Sequence, residues 1–118
     1  MGRKILVADD DPVLTRLLES YLSERGYHVM VASDGEEALR KLEQERPDLI
    51  VLDVVMPGLN GYAFLFAMRR IEGVGQIPVI VLTCKPELAG IFKAEGVQEY
   101  LIKPFPQKDL LELIRKYI

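Results

Sequence analysis

Five runs of strand length recur along this chain, and the segments between them carry apolar residues at helical spacing. The runs are Lys4–Ala8, His28–Ala32, Asp48–Leu52, Pro78–Leu82 and Glu99–Ile102. Leu14, Leu17, Leu18, Tyr21 and Leu22 mark a first helix, opened by Pro12 with Asp11 as its N-cap and stopped by Gly26. Ala38, Leu39 and Leu42 mark a second, capped by Ser33 or Asp34 and ending before Pro47. A third helix is predicted from about Tyr62 to Ile71, a short fourth over Pro86–Glu95, and a fifth after Pro104 and Pro106 with Leu110, Leu111, Leu113 and Ile114 inward. Asp48–Leu52 is the most apolar run, as befits a central strand covered on both faces. Strand and helix alternating in this way imply an α/β fold: a five-stranded parallel sheet, doubly wound, with right-handed crossovers and helices on both faces.

Composition narrows the function classes. With 118 residues and 49% hydrophobic content, one domain with a real core is expected over 1–118. A net charge of −3 without any Lys/Arg run argues against direct nucleic-acid contact by this domain. The single cysteine, Cys84, excludes a disulfide within the chain and fits a reducing cytoplasm. Met1-Gly2-Arg3-Lys4 leads only into a short apolar run before acids begin, which does not resemble a signal peptide, and no stretch has membrane-spanning length. A cytoplasmic location and no membrane contact are therefore expected.

Open parallel sheets bind ligands beyond the carboxyl ends of their strands. Asp9 and Asp10 follow the first run, Asp53 the third and Lys103 the fifth, so the fold would gather them at one sheet edge. Clustered carboxylates raise one another's pKa unless a cation compensates. Several acids beside one lysine thus point to a divalent metal and a phosphate-like group. Mg2+ takes oxygen ligands and is usually held by one or two carboxylates plus phosphate oxygens. Asp10 and Asp53 would ligate directly, and Asp9 directly or through a water. Taken singly, each acid reads more simply as a cap or turn residue; taken jointly with Lys103, the metal site is favoured.

Asp9-Asp10, Asp53, Met56-Pro57-Gly58 with Gly61, Thr83, and Lys103-Pro104-Phe105 together resemble the receiver domain of bacterial two-component response regulators, in order and over essentially the whole chain. The resemblance implies a flavodoxin-like sheet of order 2-1-3-4-5. It implies that Asp53 accepts a phosphoryl group from the phosphohistidine of a sensor histidine kinase or phosphotransfer protein, an aspartate being a known covalent acceptor. Asp9, Asp10 and Asp53 would hold Mg2+ with the backbone carbonyl of Val55, and Lys103 would neutralise charge. Thr83 would hydrogen-bond the phosphoryl oxygen, and Tyr100 would turn inward as Thr83 moves. The Lys103–Pro104 bond would be cis. Output would pass to a downstream protein, to a tethered domain beginning shortly after Ile118, or through a homodimer. Each role has a duller rival: Thr83 as a β-branched strand residue, Tyr100 as a half-buried strand aromatic. His28 reads as an exposed strand-start residue.

Five features depart from the family pattern. Val55, two residues after Asp53, has a side chain that cannot hydrogen-bond an attacking water, and Lys85 stands two after Thr83; slow hydrolysis of the Asp53 phosphate is expected. Cys84 is expected to be a small buried hydrophobe, with a redox-sensing thiol as the lesser alternative. Thr83–Gly96 is short for the family, so the face formed by the fourth helix, fifth strand and fifth helix transfers least safely. Beyond an inner face of Phe64, Leu65 and Met68, the third helix spreads apolar residues over Tyr62, Ala63, Phe66 and Ala67. These imply either local packing or a contact patch including Tyr62 and Phe66.

Two other function classes remain. A metal-dependent phosphohydrolase with an aspartyl intermediate would usually carry a second acid where Val55 stands, and a cap. A phosphate-independent interaction module would not need the full set Asp9, Asp10, Asp53, Thr83 and Lys103. A nucleotide-binding reading fails, because the turn after the first strand is acidic and lacks a Gly-rich phosphate loop.

Overall fold

Buried parallel strands must be apolar on both faces, and alternate residues of each strand serve different layers. The computed structural model describes residues 2–118 apart from positions 57, 72, 75 and 95, and apart from the side chain of Ala89. Strands β1 (Lys4–Ala8), β2 (His28–Ala32), β3 (Leu49–Asp53), β4 (Val79–Thr83) and β5 (Glu99–Ile102) alternate with helices α1 (Pro12–Ser23), α2 (Gly35–Gln44), α3 (Gly61–Met68), α4 (Ala89–Ala94) and α5 (Gln107–Tyr117). All strand pairs are parallel, in the order β2-β1-β3-β4-β5. Leu6, Ile50, Leu52 and Val81 face one layer, closed by Ala38, Leu42, Phe64, Leu65, Met68 and Phe92. Ile5, Val7, Val51, Ile80 and Leu82 face the other, closed by Leu18, Leu22, Leu110 and Ile114. Among the described residues no helix is long and apolar enough to cross a membrane.

Local chemistry sets the element ends. Asp11 caps α1, accepting from the Val13 and Leu14 amides with Pro12 at the first helical position. Asp34, not Ser33, caps α2 by accepting from Glu37 N–H at 2.8 Å, while the Glu37 carboxylate reaches back to the Ser33 amide. The third helix is shorter than predicted: Arg70 and Ile71 donate to Ala67 and Met68, three residues back, so the last turn tightens. The fourth is split into a 3-10 turn over Pro86–Leu88 and the six residues of α4. Pro86 and Gly90, both poor helix residues, account for this. Its predicted end, Glu95, lies outside the described residues, as does Pro57 of the Met56-Pro57-Gly58 motif.

β3 and β4 each run one residue later than predicted, so Asp53 pairs with Leu82 and Thr83 with Ile102 inside the ladder. Both side chains therefore stand on hydrogen-bonded strand rather than on loops. The Lys103–Pro104 bond is cis, as the family resemblance implied. At the β2 margin, the Lys41 ammonium donates to the Val31 carbonyl and pairs with Glu37. At the β5 margin, the Glu99 carboxylate accepts from Lys116 at 2.7 Å and Tyr117 at 2.8 Å.

Candidate phosphoacceptor and metal site

Because β1, β3 and β5 are parallel, their carboxyl ends open on the same edge of the sheet. Oxygens of Asp9, Asp10 and Asp53 lie there within 4.8 Å of one another. Asp9 is 1% exposed and Asp53 6%, whereas Asp10 faces solvent. The three consecutive acids divide the work. Asp11 caps α1; Asp9 accepts from the Asp11 amide at 2.9 Å with one oxygen and from Lys103 Nζ at 2.8 Å with the other. Lys103 also lies 3.6 Å from an Asp53 oxygen, to which the Val55 amide donates at 3.5 Å.

Burial pushes the Asp53 carboxyl up to about 6, repulsion from Asp9 adds to this, and Lys103 offsets part of it. Burial alone would lower the Lys103 ammonium, but its hydrogen bond to Asp9 and the charges of Asp9 and Asp53 outweigh that and raise it. The edge thus carries more negative charge than one lysine neutralises. Three converging carboxylate oxygens with no nitrogen or sulfur donor suit a hard cation such as Mg2+.

Thr83 is buried, and its hydroxyl accepts from the Lys85 amide at 2.9 Å, which ties it to the β4–α4 turn. Tyr100 is half-buried against the α2–α3–α4 layer, with Lys93 Nζ 5.3 Å from its ring centre. Val55 is 61% exposed, turning its isopropyl group to solvent while its amide faces the site. His28 stands at the opposite end of the sheet, exposed and paired with Glu45.

Cys84 is a correction: it is exposed, not buried. It follows the last β4 residue, where the chain leaves the sheet, and lines a surface recess with Leu14, Lys103 and Phe105. On α3 the inner face is Phe64, Leu65 and Met68 as expected. Tyr62 is partly covered by an edge-to-face contact with Phe92, and Phe66, 57% exposed, has the Arg70 guanidinium over its ring. Phe66 is thus not buried within its own chain. Sequence reasoning passes over Gly35, which abuts Leu59 of the β3–α3 loop; an Asp-Gly pair before a helix reads simply as a cap.

Residues 5–115 match the model of the response regulator receiver domain, and the chain belongs to that family. It is 43% identical over 118 residues to a probable transcriptional regulator, ycf27, of Cyanophora paradoxa, covering 98% of this chain and 48% of that protein. The chain therefore spans about half the length of the curated relatives it matches. Among solved structures it resembles the chemotaxis protein CheY4 of Vibrio cholerae, with a TM-score of 0.93, 33% identity and full coverage of both chains. It also resembles the receiver domain of a sensor histidine kinase from Pseudomonas aeruginosa PAO1, described with a magnesium ion coordinated in its active site cleft. There the TM-score is 0.88 and the identity 32%, covering 99% of this chain and 98% of that one. The fold, the sheet order and the receiver class expected from the sequence all hold.

Proposed function

We propose that this receiver takes a phosphoryl group onto Asp53 from the phosphohistidine of a sensor histidine kinase or phosphotransfer protein, in the cytoplasm. The P–N bond of the donor breaks as a P–O bond forms to an Asp53 carboxylate oxygen. The observation that carries this is the convergence of Asp9, Asp10 and Asp53 within 4.8 Å, with Lys103 reaching two of them. Asp9, Asp10, Asp53 and the Val55 carbonyl would hold Mg2+, which supplies positive charge to the transferring phosphoryl oxygens. Lys103, anchored by Asp9, is held where it can neutralise the same group. Thr83 exchanges its Lys85 partner for a phosphoryl oxygen, and Tyr100 moves into the space released.

The chain catalyses its own phosphorylation and dephosphorylation and turns over no outside substrate. Output goes to a downstream protein, a tethered domain or a second copy of the chain, and not to nucleic acid through this domain. The exposed Tyr62 and Phe66 form a protein-contact patch on α3.

Incubation with acetyl phosphate and Mg2+, followed by intact mass, tests the reading. A single adduct, absent from Asp53→Asn and without Mg2+, is expected. No adduct and no loss of acetyl phosphate would leave an interaction module instead, and rapid consumption of acetyl phosphate without an accumulated adduct a hydrolase.

A further inference from the structure

The loop from β3 to α3 must hold two things still: the Asp53 strand end and the backbone of Val55. Two glycines press on it from outside. Gly61, the first residue of α3, donates its N–H to the Val54 carbonyl at 2.9 Å. A Cβ on Gly61 would lie 2.6 Å from the Asp53 carbonyl oxygen and 2.9 Å from Val54 Cα. Gly35, the first residue of α2, meets the far end of the same loop. A Cβ there would overlap the Leu59 carbonyl oxygen and lie 2.6 Å from Leu59 Cβ and 2.8 Å from its carbonyl carbon. These neighbours are backbone or the root of a side chain, so they cannot swing aside. Neither glycine sits at positive φ. What is used is the missing side chain, which lets each helix start seat directly on the loop. The start of α2 is itself pinned by the Asp34 cap and the Glu37–Ser33 bond, so it cannot tilt away cheaply.

We propose that Gly35, acting through Leu59, is a positioning residue for the cation site. Its contact holds one end of the loop while Gly61 holds the other, and together they set the direction of the Val55 carbonyl relative to the Asp9–Asp10–Asp53 cluster. This rests on the reading of that cluster as an Mg2+ site. Any side chain at 35 must push Leu59 outward to reach van der Waals distance, and the displacement passes along the loop. Groups that orient metal ligands without touching the metal commonly govern affinity by about 10–100-fold.

Calorimetric Mg2+ titration compares wild type with Gly35→Ala, Leu59→Gly and Gly26→Ala, each also unfolded thermally in EDTA. Gly26 has φ +94 and open space within 4 Å of where a Cβ would stand, so its alanine variant loses stability far from the loop. Gly35→Ala is expected to weaken Mg2+ binding on the order of tenfold, while Gly26→Ala is less stable yet binds as wild type does. Equal affinity in Gly35→Ala and wild type, or equal weakening in Gly26→Ala, overturns the proposal. Should Gly35→Ala not fold, Leu59→Gly decides: loosened Mg2+ binding supports the positioning role and unchanged binding sinks it. Absence of Mg2+ binding in wild type would instead sink the metal site itself, and this role with it.

Discussion

Replacing Asp53 should make the protein more stable when no divalent cation is present. In the folded chain Asp53 is buried beside Asp9, and its carboxyl sits at about 6 against an ordinary 3.8. A shift of about 2 units at 1.36 kcal/mol each sets an upper bound near 3 kcal/mol on what the ionised form costs the fold. Between pH 4 and 6 the folded state keeps a proton that the unfolded state has released, so stability falls as pH rises through that window and stays low above it. Asp53→Asn removes the charge with little change in volume, and Lys103 keeps its 2.8 Å partner Asp9. At pH 7.5 in EDTA the variant should gain about 1–3 kcal/mol, or roughly 4–12 °C in melting temperature. Near pH 4 the gain should vanish. Thermal unfolding of both proteins across pH 4–8 measures it. A variant no more stable than wild type at pH 7.5, or an advantage that persists unchanged at pH 4, would refute the electrostatic reasoning. Added Mg2+ should close the gap at neutral pH by stabilising wild type alone.

Val55→Asn should shorten the lifetime of the Asp53 phosphate several-fold, followed as decay of the phosphorylated mass after donor removal; because Val55 is exposed, the fold should tolerate the change within about 0.5 kcal/mol. An unchanged or longer lifetime contradicts that role. The Glu99 carboxyl should titrate below its ordinary 4.5, chiefly because Lys116 donates to it and then because Tyr117 does. The support it lends is present above 4.5 and is lost as pH falls through the lowered value. Lys116→Met should move the NMR titration of Glu99 back up, and no movement would mean the pair is not formed in solution.

The parts of the site that are legible in the sequence share one property. Asp9, Asp10, Asp53 and Lys103 each come directly after a run of strand length, so a parallel topology alone carries them to one edge. The apolar pattern ends β3 and β4 one residue short of Asp53 and Thr83, because it does not reveal which peptide makes the last ladder bond. Cys84 escapes it for the same reason: a small residue one past a strand end faces wherever the chain happens to turn. The pattern also overextends the third helix, since apolar spacing persists through a last turn that tightens to three-residue bonds. Gly35 is invisible as a contact, since its partner Leu59 is brought to it only by packing between α2 and a distant loop.

The Lys41 ammonium bound to the Val31 carbonyl has a consequence for how this chain keeps company with itself. An open sheet margin offers unused acceptors to any extended chain that drifts past, and that invitation is the usual beginning of fibrous assembly. Here the outermost strand already has a cation on one acceptor, with Glu37 keeping that cation close. A trespassing strand would first have to evict a charged group into its path. Crowding many copies together therefore need not seed runaway stacking at this border.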